Sequence, residues 1–316
     1  MTADDTVAVV IACHDAERFI GRAVRSALAQ PEAAEVIVVD DASTDGSEEA
    51  ARAADDGSGR LVVLRQSVNR GPAAARNRGM AAARSAWLAI LDADDFFLPG
   101  RLAGILAHAE GADIIADDPW RVREEAIDGP RKAVLGIAIP RRITFAEFVA
   151  GNVSTPARPW REWGYVQPLL RRRFIESYAL HHREDMWLGE DYELYARALG
   201  LGARFVLIPP QGYVCVCRSE SLSGRHSLDD LRKLRDCDTS LAALPGLGAA
   251  DRETLRRHAT SIECRLRWRM FIDAIEHGRL VQAAACFCGP WPLPAHLLQM
   301  LGWRLVSRIA AIGRRP

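Results

Sequence analysis

The sequence predicts an α/β fold, a mostly parallel central sheet flanked by helices, with a helical carboxyl-terminal extension. Three observations carry this expectation. In the amino-terminal part, short β-rich runs alternate with helical periodicity, the pattern of βαβ units. Its first strand-like run is apolar throughout, as suits a strand covered on both faces. From Leu228 onward the spacing reads helical without interruption. At 316 residues, 49% hydrophobic and 26% charged, the chain can bury one large domain, or one domain with an appendage.

Taken in order, Val7 to Ala12 (VAVVIA) is the first strand, and Phe19, Ile20, Ala23, Val24, Ala27 and Leu28 recur at helical spacing to give the first helix. Glu35 to Asp40 (EVIVVD) is the second strand. The polar segment from Asp41 to Ser47 follows it, with Ser43 and Thr44 suited to cap a short alanine-rich helix. Arg60 to Arg65 is a third strand. After Asn69, Gly71 and Pro72 an alanine-rich helix runs to about Ala83, and Trp87 to Leu91 (WLAIL) is a fourth strand leading into Asp92, Ala93, Asp94 and Asp95. Pro99 suits the first turn of the next helix, and Asp113 to Ala116 reads as a fifth strand. Between Asp117 and Pro168 the periodicity fades, interrupted by Pro130, Pro140, Pro156 and Pro159 and interspersed with Trp120, Trp160 and Trp163, as expected of a loop-rich stretch shaped around a ligand. Regular signals return at Gln167 to Arg171, in a helix beginning near Glu190, and in strands at Arg204 to Ile208 and Tyr213 to Arg218. The domain reading is therefore 1–226, divided into halves 1–116 and 117–226, with 227–316 as the helical region.

The 41 basic residues balance the 41 acidic ones, so net charge gives no reason to expect a nucleic-acid partner. The seven cysteines are odd in number and lack the spacing of a disulfide framework or zinc knuckle, which points to reduced thiols, read as buried small hydrophobes in a cytosolic compartment. Met1 to Thr6 does not read as a signal peptide, and no run reaches the ~18 apolar residues of a spanning helix. The tail from Pro294 to Ile312 mixes Leu297, Leu298, Leu301, Trp303 and Ile309 with Arg304 and Arg308. It suits either peripheral contact with the inner face of a membrane or packing on its own domain.

In an open parallel sheet, ligands lie beyond the carboxyl ends of the strands. Asp40 and Asp41 end the second strand there, and Asp92, Asp94 and Asp95 follow the fourth. Carboxylates gathered on one rim repel each other unless a cation or a donor-rich ligand joins them. On an extended segment Asp92 and Asp94 emerge on the same side, a pair suited to Mn²⁺ or Mg²⁺ with positions left open for phosphate oxygens. Asp41 can accept from the imide N–H of a uracil or thymine ring. Arg76, inside an otherwise small-residue helix, reaches a carboxylate or a nucleotide.

The order IACHDAERFIGRAVRSALAQ, EVIVVDDASTDGS, NRGPAAARNRG, LAILDADDFFLPGRL and GEDYELYARAL resembles that of the family 2 glycosyltransferases, over roughly residues 7 to 225. The chain is similar to bacterial exopolysaccharide transferases of the succinoglycan type. The resemblance implies a GT-A fold with a Rossmann-like nucleotide-binding half. It implies that Ala12, His14 and Glu17 line a nucleotide pocket, that Asp41 faces the base with Arg76 in support, that Asp92 approaches the ribose, and that Asp94 binds a metal bridging the diphosphate. Glu190 and Asp191 correspond to the acidic pair that opens a helix on the acceptor side, with Asp191 as catalytic base. Their position at a helix amino terminus is also favourable electrostatically. Arg218, Arg225 and His226 follow the last strand and can close over the diphosphate, His226 as a further metal ligand. The expected reaction is inverting hexosyl transfer from a nucleotide-diphosphate sugar, taken to be a UDP-sugar, to a hydroxyl of a saccharide or lipid-linked saccharide. The chain departs from the family pattern at Ala12, Cys13, His14 and Asp15, where Pro-x-Tyr-Asn is usual, and at Ala42, often glycine.

A dinucleotide dehydrogenase is excluded because the turn after the first strand, Cys13 to Glu17, has no glycine. A glycosidase uses two carboxylates but needs neither metal nor nucleotide. A non-catalytic nucleotide-sugar-binding partner on the same fold is the rival from a different class.

Overall fold

The structure is a computed structural model that describes residues 6–153, 163–218, 226–289, 291 and 293–312, with side chains to residue 302. It begins with β1 (Val7–Cys13), α1 (Glu17–Leu28), β2 (Ala33–Asp40), α2 (Ser47–Arg52), β3 (Leu61–Arg65), α3 (Pro72–Ala82) and β4 (Trp87–Ile90). A short strand β5 (Phe96–Phe97) then precedes α4 (Arg101–Leu106) and β6 (Ile114–Asp117). The middle of the chain holds β7 (Trp120–Arg123), β8 (Lys132–Ala133), β9 (Arg141–Ile143), α5 (Phe145–Gly151), β10 (Leu169–Arg171) and α6 (Arg172–Ser177). The remainder is α7 (Glu190–Gly200), β11 (Phe205–Ile208), β12 (Tyr213–Cys217), α8 (Leu228–Ala242), α9 (Ala249–Glu276), α10 (Leu280–Ala285) and α11 (Leu293–Ile312).

The main sheet has eight strands in the order β3-β2-β1-β4-β10-β6-β11-β9. β1, β2, β3 and β4 are parallel, as is β6 with β11, while β10 inserts antiparallel between β4 and β6. Val7 to Ile11 are fully buried, and alternate residues serve opposite layers. Val7, Val9 and Ile11 meet α1 and α4, whereas Ala8 and Val10 meet α3 and, further along the same layer, α5, α7 and α8. This period of two explains why β1 reads apolar throughout. The alanines of α3 let it lie close on β1: a Cβ at Gly79 would stand 2.4 Å from Val10 Cγ1. A second sheet, β5-β12-β7-β8, sits at the site end of the molecule.

Four expectations change. Asp92, Ala93 and Asp94 are not extended: Asp95 N donates to Asp92 O at 3.1 Å, closing a turn. The Asp95 carboxylate, held by Tyr213 Oη and Val216 N at 2.7 and 2.8 Å, fixes that turn against β12. Pro99 lies ahead of α4, because Gly100 at its N-cap has φ 79°, outside helical geometry. Ser43 and Thr44 cap no helix; α2 follows Gly46, and Ser43 Oγ accepts instead from Asp15 N at 3.0 Å. The stretch after Asp117 contains β7 to β9 and α5, whose Thr144 and Glu147 form a reciprocal capping box.

All seven cysteines are free thiols, but only Cys13, Cys237, Cys264 and Cys286 are buried. The core does not break at residue 226: Leu231, Leu234 and Leu241 of α8 and Leu255 and Ile262 of α9 belong to the same apolar cluster as β1 and α7. A smaller cluster joins the end of α9 to α11 through Cys264, Cys286, Leu293 and Leu297, while Leu298 is exposed. No helix among the described residues is long and apolar enough to cross a membrane.

Candidate functional site

The loops after β1 and β2 interlace at the carboxyl edge of the sheet. Asp41 N donates to Cys13 O at 2.7 Å, Ala16 N to Ser47 Oγ at 2.8 Å, and Thr44 N to Asp15 Oδ1 at 2.8 Å. His14 Nδ1 lies 2.9 Å from Asp41 O, and Gly46 N donates to Glu17 Oε2 at 3.3 Å. Ala42 has φ 57°, a left-handed backbone that costs a residue with a Cβ about 1–2 kcal/mol. The expected pocket residues therefore share one rim: Ala12 is partly exposed there, His14 and Glu17 exposed, and Asp41 buried. The Asp41 carboxylate accepts from Gln66 Nε2, Arg70 N and Gly71 N at 2.7, 2.9 and 2.7 Å, which ties β2 to the start of α3.

One turn into α3, Arg76 joins the two halves of the site. Its guanidinium donates to Asp92 Oδ1 at 2.8 Å, Glu190 Oε1 at 2.7 Å and Asp191 Oδ1 at 3.3 Å, with only 7% of the side chain exposed. Gln167 Nε2 donates to the other Asp92 oxygen at 2.9 Å. Three carboxylates on one buried cation leave the cluster with excess negative charge, and the titration of its members reflects this. Burial raises Glu190, the neighbouring Asp191 raises it further, and Arg76 only partly opposes them. Burial also acts to raise Asp191, but Arg76 and a hydrogen bond with His182 more than offset it, so Asp191 stays below the ordinary Asp value. Burial, then Asp94 and Asp92, push Asp95 well up.

Asp94 faces a different set of groups. Arg218 makes an ion pair with its carboxylate, and Arg22 of α1 donates to its carbonyl. Arg218 also lies 4.4 Å from the Phe19 ring centroid, and Arg22 lies 4.9 Å from that of Phe96. Two guanidiniums therefore stand beside the acidic turn. Among the described residues no group of three His, Cys, Asp or Glu can hold a metal ion unaided. Asp94 alone fits an ion held by one carboxylate together with phosphate oxygens and water, the common arrangement for Mg²⁺ and Mn²⁺.

His226 lines a cavity of about 270 Å³ with Arg265, Trp268, Arg269 and His296, a cavity that Asp94 does not line. Arg225 lies outside the described residues. Sequence reasoning missed Arg22, Gln167, Tyr213 and His182, which meet the acidic groups from distant segments. It also missed Trp187, half exposed, whose ring seats on Gly71.

The Glycosyl transferase family 2 model matches residues 8–174. The succinoglycan biosynthesis protein ExoU of Rhizobium meliloti is 45% identical over 268 residues, covering 84% of this chain and 78% of that protein. Among solved structures, S. aureus TarS 1-349 in complex with UDP-GlcNAc superposes with a TM-score of 0.66 at 15% identity, over 89% of this chain and 90% of that one. The mannosyltransferase PcManGT of Pyrobaculum calidifontis, in complex with GDP-Man and Mn²⁺, gives 0.59 at 19% identity, over 95% and 80%.

Proposed function

The chain belongs to glycosyl transferase family 2 and has the GT-A fold, and from that premise we propose that it is an inverting hexosyltransferase of exopolysaccharide biosynthesis. Its donor is a nucleotide-diphosphate sugar, taken as a UDP-sugar, and its acceptor a hydroxyl of a saccharide or lipid-linked saccharide. The observation that carries this reading is the Arg76 cluster, in which one guanidinium ties Asp92 on the donor side to Glu190 and Asp191 at the start of α7.

The nucleotide lies over the interlaced loops, with Asp41 toward the base and Asp92 toward the ribose. Asp94 would hold a Mn²⁺ or Mg²⁺, which would neutralise the charge the diphosphate gains on leaving, and the guanidiniums of Arg22 and Arg218 stand beside it to face the phosphates. Asp191 directs the acceptor hydroxyl at the anomeric carbon. That hydroxyl is far less acidic than an Asp carboxyl of reference pKa ~3.9, so its proton moves to Asp191 only as the new C–O bond forms. The bond to the diphosphate breaks with its electron pair on the phosphate oxygen. One displacement inverts the anomeric centre.

The test is Asp191→Asn. Transfer is predicted to fall about 10²–10⁴-fold, the usual contribution of a general base, with metal-dependent donor binding retained. Unchanged transfer refutes the base. A wild-type chain that binds donor and never transfers it supports the non-catalytic partner instead.

A further inference from the structure

His182 lies outside every motif that identifies the site, yet it is fully buried and its Nε2 stands 3.0 Å from Asp191 Oδ1. An ionised carboxylate only accepts, so Nε2 carries a hydrogen and donates it to Oδ1. Among the described residues Nδ1, itself buried, has no hydrogen-bond partner to take a relayed proton. The backbone on either side of the ring is gripped by one side chain of α3: His182 N donates to Asn77 Oδ1 and Asn77 Nδ2 to His182 O, both at 2.8 Å. Asn77 is the residue after Arg76, so the helix that supplies the cation to Asp191 also fixes the imidazole.

We infer that His182 is a positioning residue for Asp191: clamped by Asn77, it donates to Oδ1 and so fixes which carboxylate oxygen is presented to the acceptor hydroxyl. The inference rests on Asp191 being the base. Among the described residues the other charged or titratable groups facing Asp191 are Arg76 from α3, Asp92 after β4, and Glu190 and Tyr195 of α7. Of these only Arg76 also favours the ionised carboxylate, and it is shared with Asp92 and Glu190.

The test compares His182→Leu with His182→Gln, whose amide can place an N–H near the position of Nε2. In the wild type, kcat is predicted to hold to the acid side of the ordinary Asp range. In H182L it falls by about 10–100-fold, the loss typical when an orienting partner is removed. Its decline on acidification begins at higher pH, because a carboxylate deprived of a donor is more easily protonated. H182Q restores both, and donor KM stays unchanged throughout. A folded H182L with the wild-type pH profile overturns the inference, as does a shift that H182Q does not reverse. Should H182L fail to fold, Asn77→Ala releases the clamp and is predicted to shift the profile the same way; no shift there overturns it equally. Active Asp191→Asn removes the premise itself, whereas inactive Asp191→Asn beside an unshifted H182L profile overturns this inference alone.

Discussion

At Arg76 one guanidinium faces three carboxylates, so replacing it by Met leaves buried negative charge uncompensated. The expected cost is about 3–5 kcal/mol at pH 7, measurable by urea denaturation. The pH dependence follows from the directions of the shifts. Asp191 titrates below its unfolded value, so its stabilisation is present above the ordinary Asp range and is lost as pH falls through the folded pKa. In R76M that depression is removed and the carboxylates, like Glu190 already, titrate above their unfolded values. Acidifying from pH 7 to 5 should therefore recover part of the lost stability, and an R76M penalty that grows on acidification contradicts this. Asp41, Asp92 and Asp94 were legible because they follow apolar runs, whereas Glu190 and Asp191 were found through the family resemblance. Gln167 and Tyr213 were not, since they reach Asp92 and Asp95 from 75 and 118 residues away, and no local pattern encodes such pairings.

Close approach governs the elements. Gly79 lets α3 lie against Val10, and Gly79→Ala forces a methyl to 2.4 Å from a buried branched side chain. It is expected to cost about 1–3 kcal/mol and, by lifting the helix that carries Arg76 and Asn77, to lower kcat as well. Denaturation and steady-state kinetics on the same variant check both, and loss of stability without loss of rate separates the helix from the site. β1, β2 and β4 were readable because strands covered on both faces are apolar throughout, and α1 because its apolar residues recur at helical spacing toward one layer. The turn at Asp92 to Asp95 was not, because its shape depends on β12 pairing with β5 far along the chain. α5 hid within a Pro- and Trp-rich stretch although Thr144 and Glu147 already spell its cap.

Across the whole molecule, the main sheet runs unbroken from β3 to β9, and Arg76 joins the turn after β4 to the start of α7. The helices α8 and α9 extend that core, and the first turns of α11 pack on α9 through Leu293 and Leu297. Peripheral membrane contact through the part of α11 that carries Arg304 and Arg308 remains a proposal: the chain is predicted to sediment with anionic vesicles, less so after Arg304→Glu and Arg308→Glu, and equal sedimentation counts against it. On the proposed transferase function the carboxylates tolerate one another because a divalent ion and a diphosphate belong among them. Its most direct test is thermal unfolding of wild type and Asp94→Asn against a panel of nucleotide sugars, with and without Mn²⁺. The account predicts that one donor with Mn²⁺ stabilises the wild type, by about 2.7 kcal/mol at a hundredfold excess over Kd, and that Asp94→Asn loses the metal-dependent part. No stabilisation by any nucleotide sugar, or an identical response in the variant, would contradict it.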